Sequence, residues 1–246
     1  MIDTVLLDLD DTILDFRLAE QVALRKTLRH FKMDPNDQIL QRYSDINRAQ
    51  WQLLEKGLLT HDEVNVGRFR LLFEELEVSC SARYATEYYD CQLSLCHYFL
   101  DGAEEMLRQL SAEYSLYIVT NGTASVQNRR IRDSGLLRYV SGVFISEEIG
   151  ADKPSEKFFQ HCFQNSPEGA CERSVIIGDS LTSDILGGRC FGLTTIWFNP
   201  RYADCSDQIV PDYEIHALSE VAPLLHRLSW PPGAIAFERI PPTDQK

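Results

Sequence analysis

The stretch MIDTVLLDLDDT at residues 1–12 decides the fold. Its apolar run from Thr4 to Leu9 fits a buried strand, and the period of two puts Asp8 and Asp10 on one side of the chain where that strand ends. Ligand sites in open α/β sheets lie at such carboxyl ends of strands. Two converging carboxylates repel unless a cation lies between them or one of them is protonated. The stretch therefore predicts an acidic site at one edge of a sheet.

Further short apolar runs recur along the chain and are separated mostly by helix-length segments. Such runs are typical of parallel strands that are buried on both faces. We therefore predict an α/β fold with a three-layer, Rossmann-like parallel sheet. The predicted strands after the first are Ser115–Val119, Gly142–Ile145, Ser174–Ile177 and Thr194–Phe198.

The interval 15–100 contains no comparable strand and is filled with helix-period segments such as Leu40–Lys56 and Glu63–Glu77. Gly57 suits a helix C-terminal cap, and Thr60 with Glu63 has the spacing of a capping box. The interval is therefore predicted to be an all-helical domain inserted into the sheet domain. The predicted divisions are a catalytic core at 1–14 and 101–229, a helical cap at 15–100 and a Pro-rich tail at 230–246.

Polar residues also follow the second and fourth predicted strands, and a lysine precedes a helical run. Backbone N–H groups in a turn, together with a hydroxyl, can hold phosphate oxygens. A lysine just before a helix start is disfavoured by the helix dipole, which favours a role in binding an anion. These residues are Thr120, Asn121 and Gly122 after the second strand, Asp179 and Asp184 after the fourth, and Lys153 before the helical run.

The order of DLDDT, VTNG, KPSEKFF and GDSLTSD, each in the expected place relative to a strand, resembles the haloacid dehalogenase superfamily of phosphohydrolases. A helical insertion directly after the first motif is similar to the C1 cap of that superfamily. The resemblance covers nearly the whole chain. It implies a phosphomonoester hydrolase that acts through an aspartyl-phosphate and requires Mg²⁺.

The resemblance also implies roles for individual residues. Asp8 would be the nucleophile and Asp10 the general acid and base. The phosphoryl group would be bound by Thr120, Asn121, Gly122 and Lys153. Mg²⁺ would be bound by Asp8, the backbone carbonyl of Asp10 and Asp179, with Asp184 as an indirect partner of the metal.

The predicted cap contains a stretch around Asn47, Trp51 and Arg68 that is similar to bacterial pyrimidine 5′-nucleotidases of this superfamily. Asn47 and Trp51 are four residues apart and would share a helix face. They could present an amide and an indole to a nucleobase. Trp51 could equally pack inside the cap.

The composition of the chain indicates which classes of binding partner and which cellular location to expect. A formal net charge of −13 excludes a protein that binds nucleic acid polymers or an acidic membrane surface through a basic face. Seven cysteines without a CxxC pair, and an acidic N-terminal stretch unlike a signal peptide, favour a cytoplasmic protein with reduced thiols. The expected partner is a small phosphorylated metabolite, with a nucleotide favoured, and no protein partner is indicated.

Other activities share parts of these motifs. A phosphosugar phosphatase, a phosphotransferase or a mutase would carry all four, and free phosphate release would distinguish hydrolysis from isomer formation. A haloacid dehalogenase uses a nucleophilic aspartate but needs neither a Mg²⁺ site nor a proton-donating second aspartate, so Asp10 and Asp179 count against it. A non-catalytic binding protein would be expected to have lost at least one of these motif residues.

Overall fold

A computed structural model describes residues 2–167, 171–205 and 208–229. Its strands are β1 (Thr4–Leu7), β2 (Ser115–Thr120), β3 (Gly142–Ile145), β4 (Ser174–Gly178), β5 (Thr194–Phe198) and β6 (Tyr213–Ile215). They form one sheet in the order β3-β2-β1-β4-β5-β6, and every pair is parallel. The predicted α/β fold with a parallel sheet is confirmed, and the first five strands lie where the sequence indicated. The sixth was not predicted, because it spans three residues and only Ile215 is buried.

The helices of the described chain lie mostly in the connections between the strands, and the first five of them lie in the long connection between β1 and β2. They are α1 (Phe16–His30), α2 (Asp37–Glu55), α3 (His61–Glu75), α4 (Ala82–Leu93), α5 (Ala103–Leu110), α6 (Ala124–Asp133), α7 (Ser146–Ile149), α8 (Glu156–Gln164), α9 (Leu186–Cys190) and α10 (Val221–Ser229). A π-helical turn at Leu181–Ile185 leads into α9.

The central strand β1 is buried on both faces because alternate residues point to opposite sides of the sheet. Val5 and Leu7 enter one apolar cluster, and Leu6 enters another with Val119 and Phe159. β1 pairs with β2 on one side and with β4 on the other. The carboxyl ends of these three strands therefore meet at one edge of the sheet.

Helices α1 to α4 form the insertion between β1 and β2, with α1 packed on α4 and α2 packed on α3. Tyr43, Phe69 and Tyr89 are fully buried in their shared apolar cluster. The capping box of Thr60 and Glu63 is present, as the sequence predicted. The division at 15 and 100 stays a prediction, and the predicted tail at 230–246 lies outside the described residues.

Two adjacent crossings connect the helical insertion to the sheet. The Asp15 N–H donates to the Tyr98 carbonyl at 2.8 Å, and Leu14 forms a β-bridge with Phe99. The segment that enters the insertion and the segment that leaves it are thus hydrogen-bonded to each other beside the end of β1.

Within the described ranges, no helix combines the length and the apolarity that a membrane crossing requires. No disulfide bond forms among the described residues. The prediction of a cytoplasmic location remains a prediction.

Candidate active site

A cleft of about 240 Å³ separates the carboxyl ends of the central strands from the helical insertion. Its floor includes Asp8, which follows β1, Thr120 at the end of β2, and Asp179, which follows β4. Its other wall comes from the insertion and includes Trp51 and Asn65. The sheet register thus brings together polar residues that are more than a hundred positions apart in the sequence.

Lys153 lies between two carboxylates on the floor of the cleft. Its Nζ donates to Asp8 Oδ1 at 2.6 Å, to Asp184 Oδ1 at 2.7 Å and to the Val119 carbonyl at 2.7 Å. The lysine side chain is 1% exposed. Burial alone would lower the pKa of Lys153, but the charges of Asp184 and Asp8 outweigh it and raise that pKa. Lys153 is therefore a fixed positive charge beside Asp8.

Three carboxylates lie close together on the floor of the cleft. Asp8, Asp179 and Asp184 each offer an oxygen within 4.8 Å of the others. Burial raises the pKa of Asp8 to about 7, with a further contribution from Asp184, although Lys153 acts in the opposite direction. Burial and the charge of Asp8 raise the pKa of Asp179 well above its usual range. A site with this much carboxylate repulsion and only oxygen ligands fits a hard divalent cation such as Mg²⁺.

Asp184 reaches this cluster because β4 ends in a glycine. A Cβ atom on Gly178 would lie 2.2 Å from Asp184 Oδ2, a distance that no side chain permits. The same Oδ2 accepts from the Ser180 N–H at 3.1 Å, while Oδ1 accepts from Lys153. Both oxygens of Asp184 are thus hydrogen-bonded within the protein, and its predicted indirect link to a metal stays a prediction.

The turn after β2 is hydrogen-bonded to neighbouring loops, and its predicted role in phosphate binding stays a prediction. The Asn121 side chain exchanges two hydrogen bonds with the backbone of Lys153, each 2.9 Å long, and so fixes the lysine. The Gly122 N–H donates to Ser146 Oγ at 3.2 Å. The Asn121 amide and the Gly122 N–H are therefore occupied by the scaffold. Thr120 Oγ1, on the cleft floor, accepts from Gln127 at 2.9 Å.

Asp10 is held by two residues of α6 that the sequence analysis did not single out. Arg130 Nη1 donates to Asp10 Oδ1 at 2.6 Å, and Gln127 Nε2 donates to Asp10 Oδ2 at 2.7 Å. Both residues are buried. Their spacing of three on a helix that starts directly after the Thr120 turn was an available signal, since such residues share a face.

All three predicted substrate residues of the cap form hydrogen bonds inside the cap. The Asn47 amide donates to Glu20 at 2.8 Å, and its Oδ1 accepts from Trp51 Nε1 at 3.1 Å and from Arg68 at 3.2 Å. Arg68 also pairs with Asp90 at 3.1 Å and is 3% exposed. Asn47 does not line the cleft above Asp8, whereas Trp51 and Arg68 do. Asn47 thus holds the Trp51 indole by a hydrogen bond and lines an adjoining cavity with Trp51 and Glu55.

The cap wall of the cleft carries further polar groups. Asn65 Nδ2 donates to Thr123 Oγ1 at 3.0 Å, and Asn65 Oδ1 is buried with no hydrogen-bond partner among the described residues. Glu55, one helical turn after Trp51, also faces the cleft. Burial raises the pKa of Glu55, and Asp184 adds to the effect. Asn65 Oδ1 is a buried amide oxygen without a partner in the described part of the chain, and it lowers the stability of the fold. It therefore points to a hydrogen-bond donor that a ligand would supply.

Charge along the cleft is unevenly distributed. Its described lining contains the carboxylates Asp8, Asp10, Asp11, Glu55, Asp90, Asp179 and Asp184, and the cations Arg68 and Lys153. Each of these two cations is already paired with a carboxylate. The cleft therefore favours a ligand whose negative charge is confined to the floor.

A second contact joins the cap to the core near Lys153. His61 Nε2 lies 2.8 Å from Asp152 Oδ1, and both side chains are mostly buried. Burial alone would lower the pKa of His61, but its hydrogen bond to Asp152 and the charge of that residue raise it. The pair therefore links α3 to the loop before α8 most strongly when His61 is protonated.

The parallel sheet, the helical insertion and the carboxylate cluster at the strand ends define an α/β enzyme with a capped acidic site. The family model for haloacid dehalogenase-like hydrolases matches residues 2–192. The chain belongs to this family, which confirms the predicted superfamily and a hydrolase as the class of enzyme.

Relatives of similar length support the assignment. The chain is 38% identical to the putative HAD-hydrolase YfnB of Bacillus subtilis, over 91% of this chain and 95% of that protein. It is 34% identical to the pyrimidine 5′-nucleotidase PynA of Streptococcus pneumoniae, over 91% and 94% of the two chains. It is 27% identical to the pyrimidine 5′-nucleotidase YjjG of Escherichia coli, over 91% and 97%.

Solved structures agree with the fold. The magnesium-bound crystal structure of YfnB from Bacillus subtilis matches with a TM-score of 0.87 at 38% identity, over 91% of this chain and 98% of that one. The L-2-haloacid dehalogenase of Xanthobacter autotrophicus matches with a TM-score of 0.71 at 14% identity, over 92% and 99%. The second likeness concerns the fold alone.

Proposed function

We propose that the protein is a Mg²⁺-dependent phosphomonoester hydrolase that forms a transient aspartyl-phosphate on Asp8. The observation that carries the proposal is the Asp8 carboxylate at the floor of a capped cleft, 2.6 Å from a buried lysine and beside two further carboxylates. A carboxylate can attack an anionic ester only if the repulsion between them is screened. Lys153 supplies part of that screening, and Thr120, which lines the same cleft, would bind a phosphoryl oxygen.

Asp8, Asp179 and the backbone carbonyl of Asp10 would hold Mg²⁺, with Asp184 behind them. The bound ion would neutralise charge on the transferring phosphoryl group. The rest of the chemistry falls to the side chains of the chain itself.

In the first step, a carboxylate oxygen of Asp8 bonds to phosphorus, the bond from phosphorus to the leaving oxygen breaks, and Asp10 gives that oxygen a proton. In the second step, Asp10 takes a proton from a water molecule that attacks the same phosphorus. Inorganic phosphate leaves, and the Asp8 carboxylate is restored. The proton gained by Asp10 replaces the one it gave, so the cycle closes.

We propose nucleoside 5′-monophosphates as the substrates, with pyrimidines ahead of purines. Two pyrimidine 5′-nucleotidases are among the relatives that match most of the chain. The cap offers the half-buried Trp51 ring for stacking and the buried Asn65 amide oxygen as an acceptor for a base N–H. The core provides only phosphate chemistry, so selectivity has to come from the groups that cover the leaving group.

A phosphate-release screen with Mg²⁺ over nucleotides, sugar phosphates and other small phosphorylated metabolites tests the proposal. Pyrimidine nucleoside monophosphates are expected to give the highest kcat/KM. Sugar phosphates that exceed every pyrimidine nucleotide by tenfold or more, about 1.4 kcal/mol of transition-state preference, would overturn the nucleotidase assignment and leave the phosphatase one. Isomer formation without free phosphate would indicate a mutase.

Trp51→Ala tests the role of the cap in this selectivity. The variant is expected to lower kcat/KM for a pyrimidine nucleotide by about tenfold, the loss of roughly one base-stacking contact, and to spare a small aryl phosphate. Tyr84→Ala removes an exposed aromatic ring elsewhere on the insertion and is the matched control. Equal losses on both substrates with Trp51→Ala would show that the ring only supports the cap.

A further inference from the structure

Arg130 is a fully buried cation at the centre of a network around Asp10. Its side chain is 0% exposed, whereas the Asp10 side chain is 24% exposed. Nη1 of Arg130 donates to Asp10 Oδ1 at 2.6 Å and to Gln127 Oε1 at 2.8 Å. Gln127 in turn donates to Asp10 Oδ2 and to Thr120 Oγ1. One arginine therefore connects Asp10 with the phosphate end of the cleft.

The burial of this guanidinium calls for a compensating role. Removing a cation from water costs several kcal/mol unless it is paired and hydrogen-bonded. Among the described residues, Asp10 is its only carboxylate partner, and Nη2 of Arg130 is buried without a hydrogen-bond partner. An apolar side chain would fill this place at lower cost if packing were its only purpose. The arrangement is consistent with a function in orienting Asp10.

Arg130 also touches both crossings between the sheet and the helical insertion. Its Nε donates to the Cys96 carbonyl at 2.9 Å, in the segment that returns from α4. Its guanidinium carbon lies 5.9 Å from the centre of the Phe16 ring, at the start of α1. The side chain that holds Asp10 is thus held by the two segments that carry the cap.

The two oxygens of Asp10 are held unequally. The bond from Arg130 to Oδ1 is charge-assisted, and such bonds are roughly twice as strong as those between neutral groups. The bond to Oδ2 comes from the neutral amide of Gln127. Oδ2 is therefore the oxygen that can exchange its protein contact for the leaving-group oxygen while Oδ1 stays fixed.

We propose that Arg130 is a positioning residue that fixes Asp10 through Oδ1, directs Oδ2 to the leaving-group oxygen and makes this placement depend on the cap crossings. The inference rests on the proposed role of Asp10 as general acid and base. Arg130 itself touches no reacting atom. Its loss should impair proton delivery and leave phosphate binding and nucleophilic attack largely in place.

Single-turnover phosphorylation of Arg130→Met, with Mg²⁺ and two esters, measures this effect. An alkyl phosphate such as glycerol 3-phosphate needs a proton on its leaving oxygen, whereas p-nitrophenyl phosphate does not. Because general acid help is worth about 10² to 10⁴ in rate, the alkyl ester should slow at least tenfold more than the aryl ester. A purely structural loss would slow both alike, since it would not depend on the leaving group.

Three further variants make the result decisive. Arg129→Met, on the same helix at an exposed ion pair with Asp133, should leave both rates within twofold of the parent. Arg130→Lys keeps the buried charge with one nitrogen in place of three, so it should fold and slow the alkyl ester selectively even if Arg130→Met unfolds. Asp10→Asn should give the largest difference between the esters.

Equal slowing of both esters by Arg130→Lys or by folded Arg130→Met, while Asp10→Asn slows the alkyl ester selectively, would overturn the role of Arg130 alone. Equal slowing of both esters by Asp10→Asn would overturn the proposed acid role of Asp10. It would also overturn the proposal that Arg130 positions Asp10 for that role. Selective slowing by the Arg130 variants, with Arg129→Met unchanged, supports the proposal.

Discussion

Mg²⁺ is expected to stabilise the protein against unfolding, and to do so more strongly near pH 8 than near pH 5.5. The reason is the buried carboxylate cluster, in which the pKa of Asp8 is raised from 3.8 to about 7. A raised carboxyl pKa means that the folded state binds more protons than the unfolded state between these values, so the metal-free protein loses stability as pH rises through that window. Each pKa unit corresponds to about 1.4 kcal/mol, which gives a cost on the order of 4 kcal/mol above pH 7. A bound cation would offset it.

The size of the Mg²⁺ effect follows from linkage. At a concentration about 100 times Kd, a ligand that binds only the folded state contributes about 2.7 kcal/mol. For a chain of this size that is a rise in Tm of about 5 to 10 °C. Near pH 5.5, which is below the raised pKa of Asp8, competition by the Asp8 proton weakens binding by about tenfold or more, and the same concentration then contributes about 1 kcal/mol, or roughly 2 to 4 °C.

Thermal unfolding with and without MgCl₂, at matched ionic strength and at both pH values, checks this expectation. Asp8→Asn should remove most of the Mg²⁺ effect near pH 8, whereas Asp37→Asn, on the exposed start of α2, should retain it. Equal shifts at the two pH values would refute the link between Asp8 and the metal. No shift near pH 8 would refute the metal site.

Three other changes have expected outcomes. Lys153→Met should lower the free energy of unfolding of the metal-free protein by about 3 to 5 kcal/mol in urea denaturation, because it leaves two buried carboxylates without their cation; a loss below 1 kcal/mol would contradict this. His61→Asn should lower the free energy of unfolding, measured by urea denaturation, by up to about 1 kcal/mol near pH 5.5 and by less near pH 8.5. The reason is that the stabilisation by a histidine with a raised pKa is lost as pH rises through that pKa. An equal loss at both pH values would argue against a stabilising His61–Asp152 pair. Glu55→Gln should raise kcat/KM for a pyrimidine nucleoside 3′,5′-bisphosphate several-fold relative to the 5′-monophosphate in phosphate-release assays. The reason is that one carboxylate of the cleft lining would no longer repel the second phosphate. An unchanged ratio would show that Glu55 does not contribute to substrate selectivity.

Several parts of the structure are local consequences of the sequence. Strands β1 to β5 are apolar runs buried on both faces, and such runs are recognisable without tertiary information. The capping box of Thr60 and Glu63 requires only residues three apart, and it formed as predicted. The placement of Asp8 and Asp179 at one sheet edge follows from parallel strands, whose carboxyl ends point the same way. The sequence could predict these features because each depends on short-range periodicity or on one topological rule.

The contacts that tune the site depend on distances through space that no local pattern encodes. Arg130 meets Asp10 across 120 positions, and Lys153 meets Asp8 across 145. The helical spacing of Asn47 and Trp51 predicted a shared face, but only the packing of Glu20 and Arg68 against that face turned the Asn47 amide inward. Sequence periodicity thus determined which elements form and where their polar ends gather. The tertiary structure decided which of those polar groups face the cleft, because a buried hydrogen-bonding group takes whichever partner the packing brings within reach.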